Sequence, residues 1–360
     1  MKSLAVNVAR VESRSPVWVG RGLVANAASL AEIQNYSRVV VISDMGARQV
    51  TDSLQAALKL SEQNILFIEG GESCKQIQAL ERLWNFFVKN RLDRKALVFA
   101  VGGGAVSDLV GFAAATYMRG IAYIPIPTTL LAQVDASIGG KSGINFSGAK
   151  NILGAIRQPV GIIVDVDTLA SLSSRDLRSG FAEIIKHGLI ADRPYFELVT
   201  SRAFSEWNAE ELVEIIFRSC EIKRDVVEAD ESEQGMRKTL NFGHTLGHAI
   251  EALALIDGVP LTHGEAISIG MRAASYLSYR MGMLPAQELS AIIAGISKVG
   301  LPTRLPTHME ESKLLELMSH DKKNVAGTTR WTLLQGIGHA VFDQQVESPL
   351  IRDAIAEIQA

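Results

Sequence analysis

An α/β domain with a largely parallel sheet, followed by a helical domain, is the architecture this 360-residue chain predicts. Three observations lead there. Short β-branched runs recur at 37–44, 64–70, 96–104, 122–129 and 161–167, with helix-like spacers between several of them. That rhythm belongs to βαβ units, whose strands are buried on both faces. From about Ser173 the texture changes, and "NAEELVEIIFRSCEIKRDVVEAD" and "AQELSAIIAGISKVG" space their apolar residues three and four apart, as an amphipathic helix requires. The change near residue 172 is a shift of composition without a Gly/Pro spacer. It divides the chain into an α/β domain (1–172) and a helical domain (173–360), packed closely, with a cleft between them as the default site. Late in the chain "TRWTLLQGIGHAVFD" (328–342) alternates enough for a small hairpin, and "SPLIRDAIAEIQA" closes as a helix.

Composition excludes several classes. A net charge of −3 offers no basic excess of the kind nucleic acid or an anionic membrane selects. Two cysteines, Cys74 and Cys220, make no disulfide framework, and "MKSLAVNVARVESR" lacks the apolar core of a signal peptide. The longest apolar stretches are too short or too glycine-rich to cross a bilayer as helices. The expectation is a soluble cytoplasmic protein whose anionic ligands meet locally concentrated cations.

In "VGGGAVSDLVGFAAA" a buried strand runs into glycines and then an apolar helix, a context in which the helix N-terminus attracts phosphate and a nucleotide is the natural guest. Gly102 and Gly104 have the dinucleotide spacing, but Ser107 stands where the third glycine of that fingerprint belongs. Asp44 ends one strand run, and Glu72 and Lys75 follow the next, at the edge where parallel sheets bind ligands. "PTTLLAQVDASIGGKSGINFSGAKNILG" reads as a loop that gathers Thr128, Thr129, Asp135, Lys141, Lys150 and Asn151, donors suited to a phosphorylated, hydroxyl-rich molecule.

In the helical half Glu183 and Lys186 share a face, as do His244 and His248, and His263 opens another apolar helix. One carboxylate with imidazoles from separate helices suits a catalytic divalent metal with an open position. Only three ligands are needed, so one histidine is left for proton transfer, and spacing alone does not choose between His244 and His248. Lys223, Arg237, Asn241, Lys322 and Lys323 add cations and an amide.

Taken in order, GGGAVSD, PTTLLAQVDASIGGKSGIN, GAKN, AEIIKHG, RKTLNFGHTLGHAIE and HGEA resemble the 3-dehydroquinate synthases, from about residue 37 to 325. The resemblance implies a Rossmann-like NAD-binding domain, a helical metal-binding domain and a homodimer. It implies that Glu183, His244 and His263 hold zinc or cobalt and that His248 handles protons. NAD contacts would come from Asp44, Glu72, Lys75, Gly103, Gly104, Asp108, Thr128, Thr129, Asp135, Lys141, Lys150, Thr168, Leu169 and Ser171. Substrate contacts would come from Lys141, Asn151, Lys186, Lys223, Arg237, Asn241 and Lys322, with Arg119 reaching a neighbouring subunit. The implied reaction converts 3-deoxy-D-arabino-heptulosonate 7-phosphate to 3-dehydroquinate and phosphate, through transient oxidation by NAD, elimination, reduction and aldol closure. Cys74, Ser107, Phe146 and His187 depart from the family pattern without removing a ligand, and His187 reads as structural. The nearest rivals are a cyclase of another sugar phosphate and a metal-dependent polyol dehydrogenase. Arg237 and Asn241, which suit a carboxylated substrate, argue against the first, and the number of lysines argues against the second.

Overall fold

The computed structural model describes residues 14–306, 309–319 and 329–359. Contacts divide the chain into two compact units. The first comprises Leu23–Ile126 and Gly140–Val164 with the segment up to Trp18; the second comprises Pro127–Gly139 and the chain from Asp165, with Val19–Gly22.

β1 (Val17–Gly20) begins in the first unit, where α1 (Ala27–Leu30) leads into β2 (Val39–Asp44), α2 (Arg48–Leu58), β3 (Ile65–Ile68), α3 (Ile77–Lys89), β4 (Leu97–Gly102), α4 (Gly104–Thr116) and β5 (Ala122–Pro127), whose last residue belongs to the second. The sheet order is β3-β2-β4-β5, and β2 pairs in parallel with both neighbours, Val41 opposite Ile65 on one side and Phe99 on the other. Alternation along the strands builds two apolar layers. Val40, Ile42, Val98 and Ala100 pack with Leu83, Phe87 and Leu109 of α3 and α4, while Val41, Leu97 and Phe99 pack with Leu54 of α2. Each fully buried Val, Leu, Ile or Phe among them contributes about 1.5–3 kcal/mol.

The stretch read from sequence as a loop is largely regular. Ala132–Ala136 forms a π-helical turn, and β6 (Lys141–Phe146) pairs antiparallel with β7 (Ala149–Ile156). Glycines make that pairing possible: a Cβ on Gly143 would lie 2.7 Å from the Leu153 carbonyl oxygen, and one on Gly154 2.5 Å from that of Ser142. The hairpin lies on α4 and buries Ile144, while Phe146, Ile152, Leu153 and Ile156 stay exposed. β8 (Ile162–Asp165) then pairs with β1.

The second unit is built from α5 (Ser174–Ala191), α6 (Arg193–Val199), α7 (Ala209–Ala229), α8 (His244–Ile256), α9 (His263–Arg280), α10 (Ala286–Val299) and α11 (Glu311–Ser319). It is not all helix, since β9 (Arg330–Gly336) and β10 (His339–Gln345) form an antiparallel hairpin before α12 (Ser348–Gln359). Capping boxes start α7 at Asn208 and α9 at Thr262, which satisfy amides that would otherwise lack partners. Both cysteines are free and buried, Cys74 in the first unit and Cys220 on α7. Among the described residues no helix is long and apolar enough to cross a membrane.

Candidate metal centre and nucleotide-binding edge

Three helices of the second unit bring Glu183, His244 and His263 together because glycines let their backbones touch. A Cβ on Gly264 of α9 would lie 2.0 Å from the Ser179 carbonyl oxygen of α5, and one on Gly270 would lie 2.0 Å from the oxygen of Gly243, the residue that caps α8. Glu183 is fully buried. Its Oε1 lies 3.6 Å from His244 Nε2 and 3.4 Å from His263 Nε2, and Lys186 forms an ion pair with its Oε2. Neither Glu183 oxygen has a hydrogen-bond partner among the described residues.

The outward sides of both rings are engaged. His244 Nδ1 lies 3.0 Å from the Phe242 carbonyl oxygen, and His263 Nδ1 lies 3.0 Å from Glu251 Oε2. Ionised carboxylates and carbonyls only accept, so each Nδ1 donates and each Nε2 turns toward Glu183. Ligand atoms of the three residues lie within 4.8 Å of one another. Two imidazole nitrogens and one carboxylate suit a borderline divalent cation with a fourth position left open.

Electrostatics agree with a cation site. Burial opposes ionisation of Glu183, but Lys186 and the two imidazoles outweigh it and hold the carboxyl well below its usual range. Burial, aided by Lys186, drives His244 well below the ordinary imidazole value. Burial also works against charge on His263, yet the carboxylates of Glu183 and Glu251 on either side of the ring prevail and raise it to about 9.

The second unit also buries Lys186, Lys223 and Arg237, besides Arg272, which pairs with Glu357. Lys223 Nζ lies 2.5 Å from Asp135 Oδ1, a contact presented by the π-helical turn. Burial lowers Lys223 and opposes charge on Asp135, but Lys223 and Lys186 keep the Asp135 carboxyl well below its ordinary value. The Arg237 guanidinium donates to carbonyl oxygens of Glu231 at 2.8 Å and Gly139 at 3.2 Å; among the described residues no carboxylate hydrogen-bonds to it. Asn241 Nδ2 donates to Glu233 Oε1 at 3.1 Å. His248 is exposed, with its ring centroid 5.1 Å from that of His244. His187 is fully buried, its Nδ1 2.6 Å from Ser219 Oγ, and burial pushes it down to about 3. Lys322 and Lys323 lie outside the described residues.

The first unit presents a second constellation. β2 and β4 are neighbours, yet the chain runs from β2 outward to β3 before it returns to β4, so their C-terminal ends flank a topological switch point. Asp44 ends β2 there, opposite Gly102 at the end of β4, where a Cβ would meet Val106 at 2.9 Å and Asp44 at 3.1 Å. Gly103 caps α4 without a side chain, and the helix's own bonds begin with the Val106 and Ser107 amides on the Gly103 carbonyl, so the Gly104 and Ala105 amides at the start of the first turn face a ligand. Lys75 Nζ pairs with Asp108 Oδ2 at 2.7 Å, and Glu72 accepts from Asn145 Nδ2 at 2.8 Å. Lys141, Lys150 and Asn151 are exposed on the β6–β7 hairpin, Asn151 with φ +51°. Arg119 is exposed in a turn where Met118, Arg119 and Gly120 all have positive φ.

The remaining residues implied for the cofactor, Thr128, Thr129, Asp135, Thr168, Leu169 and Ser171, belong to the second unit. There Thr129 Oγ1 accepts from the Ala132 amide, Thr168 Oγ1 donates to the Asp165 carbonyl, Ser171 Oγ donates to that of Thr168, and Leu169 is buried. Sequence reasoning missed Asn145 and Glu251. Asn145 could have been noticed as an amide among the loop cations, whereas Glu251 pairs with a histidine that only helix packing brings near.

Family models of known proteins match along the chain: the 3-dehydroquinate synthase N-terminal model over residues 65–179 and the C-terminal model over 180–324. A 3-dehydroquinate synthase of Nitrosococcus oceani is 40% identical over 356 residues, 98% of either chain. Among solved structures, a 2-epi-5-epi-valiolone synthase from Streptomyces hygroscopicus with NAD+ and Zn2+ bound is 30% identical, with a TM-score of 0.86 over 98% of this chain and 99% of that one. A 2-deoxy-scyllo-inosose synthase complexed with carbaglucose-6-phosphate, NAD+ and Co2+ is 27% identical, with a TM-score of 0.85 over 95% and 96%. Two models that meet without a gap, and a relative matched from end to end, carry one conclusion: the chain belongs to the 3-dehydroquinate synthase family.

Proposed function

We propose that the protein is a cytoplasmic, phosphate-eliminating cyclase that converts 3-deoxy-D-arabino-heptulosonate 7-phosphate to 3-dehydroquinate and phosphate, with NAD and one zinc or cobalt ion. The observation that carries this reading is the buried carboxylate of Glu183 facing two imidazole Nε2 atoms beside buried Lys186, Lys223 and Arg237. When bound, the metal polarises a substrate hydroxyl and NAD accepts and returns its hydride, so no net redox change results.

The chain's own residues do the rest. Glu183, His244 and His263 hold the ion. Asp44 takes ribose hydroxyls, and Gly103 and Gly104 let pyrophosphate approach the start of α4. Glu72, Lys75, Asp108, Thr128, Thr129, Lys141, Lys150, Thr168, Leu169 and Ser171 complete the nucleotide site, and Asp135 also holds Lys223. Lys186, Lys223, Lys322 and Arg237 neutralise the substrate's carboxylate and phosphate, where low exposure to water makes each charge count for more. Asn151 and Asn241 orient its hydroxyls. His248, one turn from His244 and open to solvent, moves the proton as a general acid or base.

Purified protein given NAD, zinc and the heptulosonate phosphate is expected to release phosphate and form dehydroquinate in equal amounts, with no turnover of sedoheptulose 7-phosphate. Phosphate without dehydroquinate, or NADH that accumulates steadily, would sink this reading.

The homodimer is proposed to form through the β6–β7 hairpin. β7 is a long edge strand exposing Ile152, Leu153 and Ile156, a ready template for a second chain. Arg119 is then carried toward the partner's site. In sedimentation velocity the wild type should run with the mass of two chains and Ile152→Asp with the mass of one; a wild-type monomer would count against it.

A further inference from the structure

The α8 face that carries His244 and His248 carries one more ionisable group. Glu251 lies three residues after His248 and seven after His244, spacings that keep all three on one side of the helix. Its Oε2 is 3.0 Å from Nδ1 of His263, the first residue of α9, and both side chains are a quarter exposed. As a carboxylate it accepts the Nδ1 proton, which leaves the ring's lone pair on Nε2, the nitrogen 3.4 Å from Glu183 Oε1. His244 is oriented in the same sense by a backbone carbonyl, that of Phe242. For His263 the acceptor is a side chain, and its negative charge also makes the imidazole a stronger ligand.

We propose that Glu251 is a positioning residue: by accepting from His263 Nδ1 it fixes that ring with Nε2 toward Glu183 and His244, and so sets how tightly the divalent ion is held. The inference rests on the reading of Glu183, His244 and His263 as the metal ligands. A carboxylate that merely decorates a helix surface would leave metal affinity unchanged.

The test measures zinc affinity by chelator competition, and the visible absorption of the cobalt-loaded protein, for wild type, Glu251→Ala and Glu251→Gln. Removing such an outer-shell acceptor typically weakens metal binding about 10- to 100-fold. Glu251→Ala should show that loss together with a shifted cobalt spectrum. Glu251→Gln should fall between it and wild type, because the amide oxygen still accepts but carries no charge. Unchanged affinity and an unchanged spectrum in both variants would overturn the proposal. If the alanine protein does not fold, the isosteric glutamine variant decides alone by the same criterion. The underlying reading has its own readout: it fails if wild type binds no zinc, or if His263→Ala binds zinc as wild type does. Wild type and His263→Ala behaving as that reading requires, with both Glu251 variants unchanged, removes only the role of Glu251.

Discussion

His263→Ala is expected to purify without bound metal and without turnover, while His248→Ala keeps its metal and loses turnover by about 10²–10⁴-fold, the range of a general acid or base. The two histidines differ in what surrounds them. His263 Nε2 faces the buried Glu183 carboxylate at 3.4 Å, and the ring is held from behind by Glu251. His248 is exposed, one turn beyond His244 on α8. Elemental analysis after dialysis, beside single-turnover phosphate release, separates the two roles. Equal metal loss in both proteins would overturn this division of labour.

Gly270→Ala should cost stability at the upper end of the 1–3 kcal/mol typical of overpacking, because the added Cβ would sit 2.0 Å from the Gly243 oxygen and 2.9 Å from the Gly247 amide nitrogen. Neither atom belongs to a side chain that can rotate away, so α9 must back off from α8. That movement draws His263 away from His244, and metal affinity should fall along with the melting temperature. A variant that melts and binds zinc as wild type does would show that the helices have room to spare.

How much of this was legible in the sequence depended on whether the signal is local. The strands β2 to β5 stood out because strands buried on both faces must be continuous apolar runs, as "VVVISD" and "LVFAVG" are. The β6–β7 hairpin did not. Its glycines at 143 and 154 are what a loop also offers, and the demand for them arises only across the pair. The residue types of the metal centre were readable, but spacing left His244 and His248 equivalent, and only the family resemblance chose between them. Glu251 was invisible in that sense: twelve residues separate it from His263, and the packing of α8 on α9 brings them to 3.0 Å. The capture of Pro127–Gly139 by the second unit likewise depends on contacts with distant segments, not on its own composition.

The two cysteines have a practical consequence. Burial pushes the Cys74 thiol up to about 11 and the Cys220 thiol up to about 12, so near neutral pH neither presents the thiolate that maleimides and iodoacetamides attack. A cysteine introduced on the surface therefore becomes the preferred attachment point for a fluorophore or spin label, with the native sequence otherwise intact.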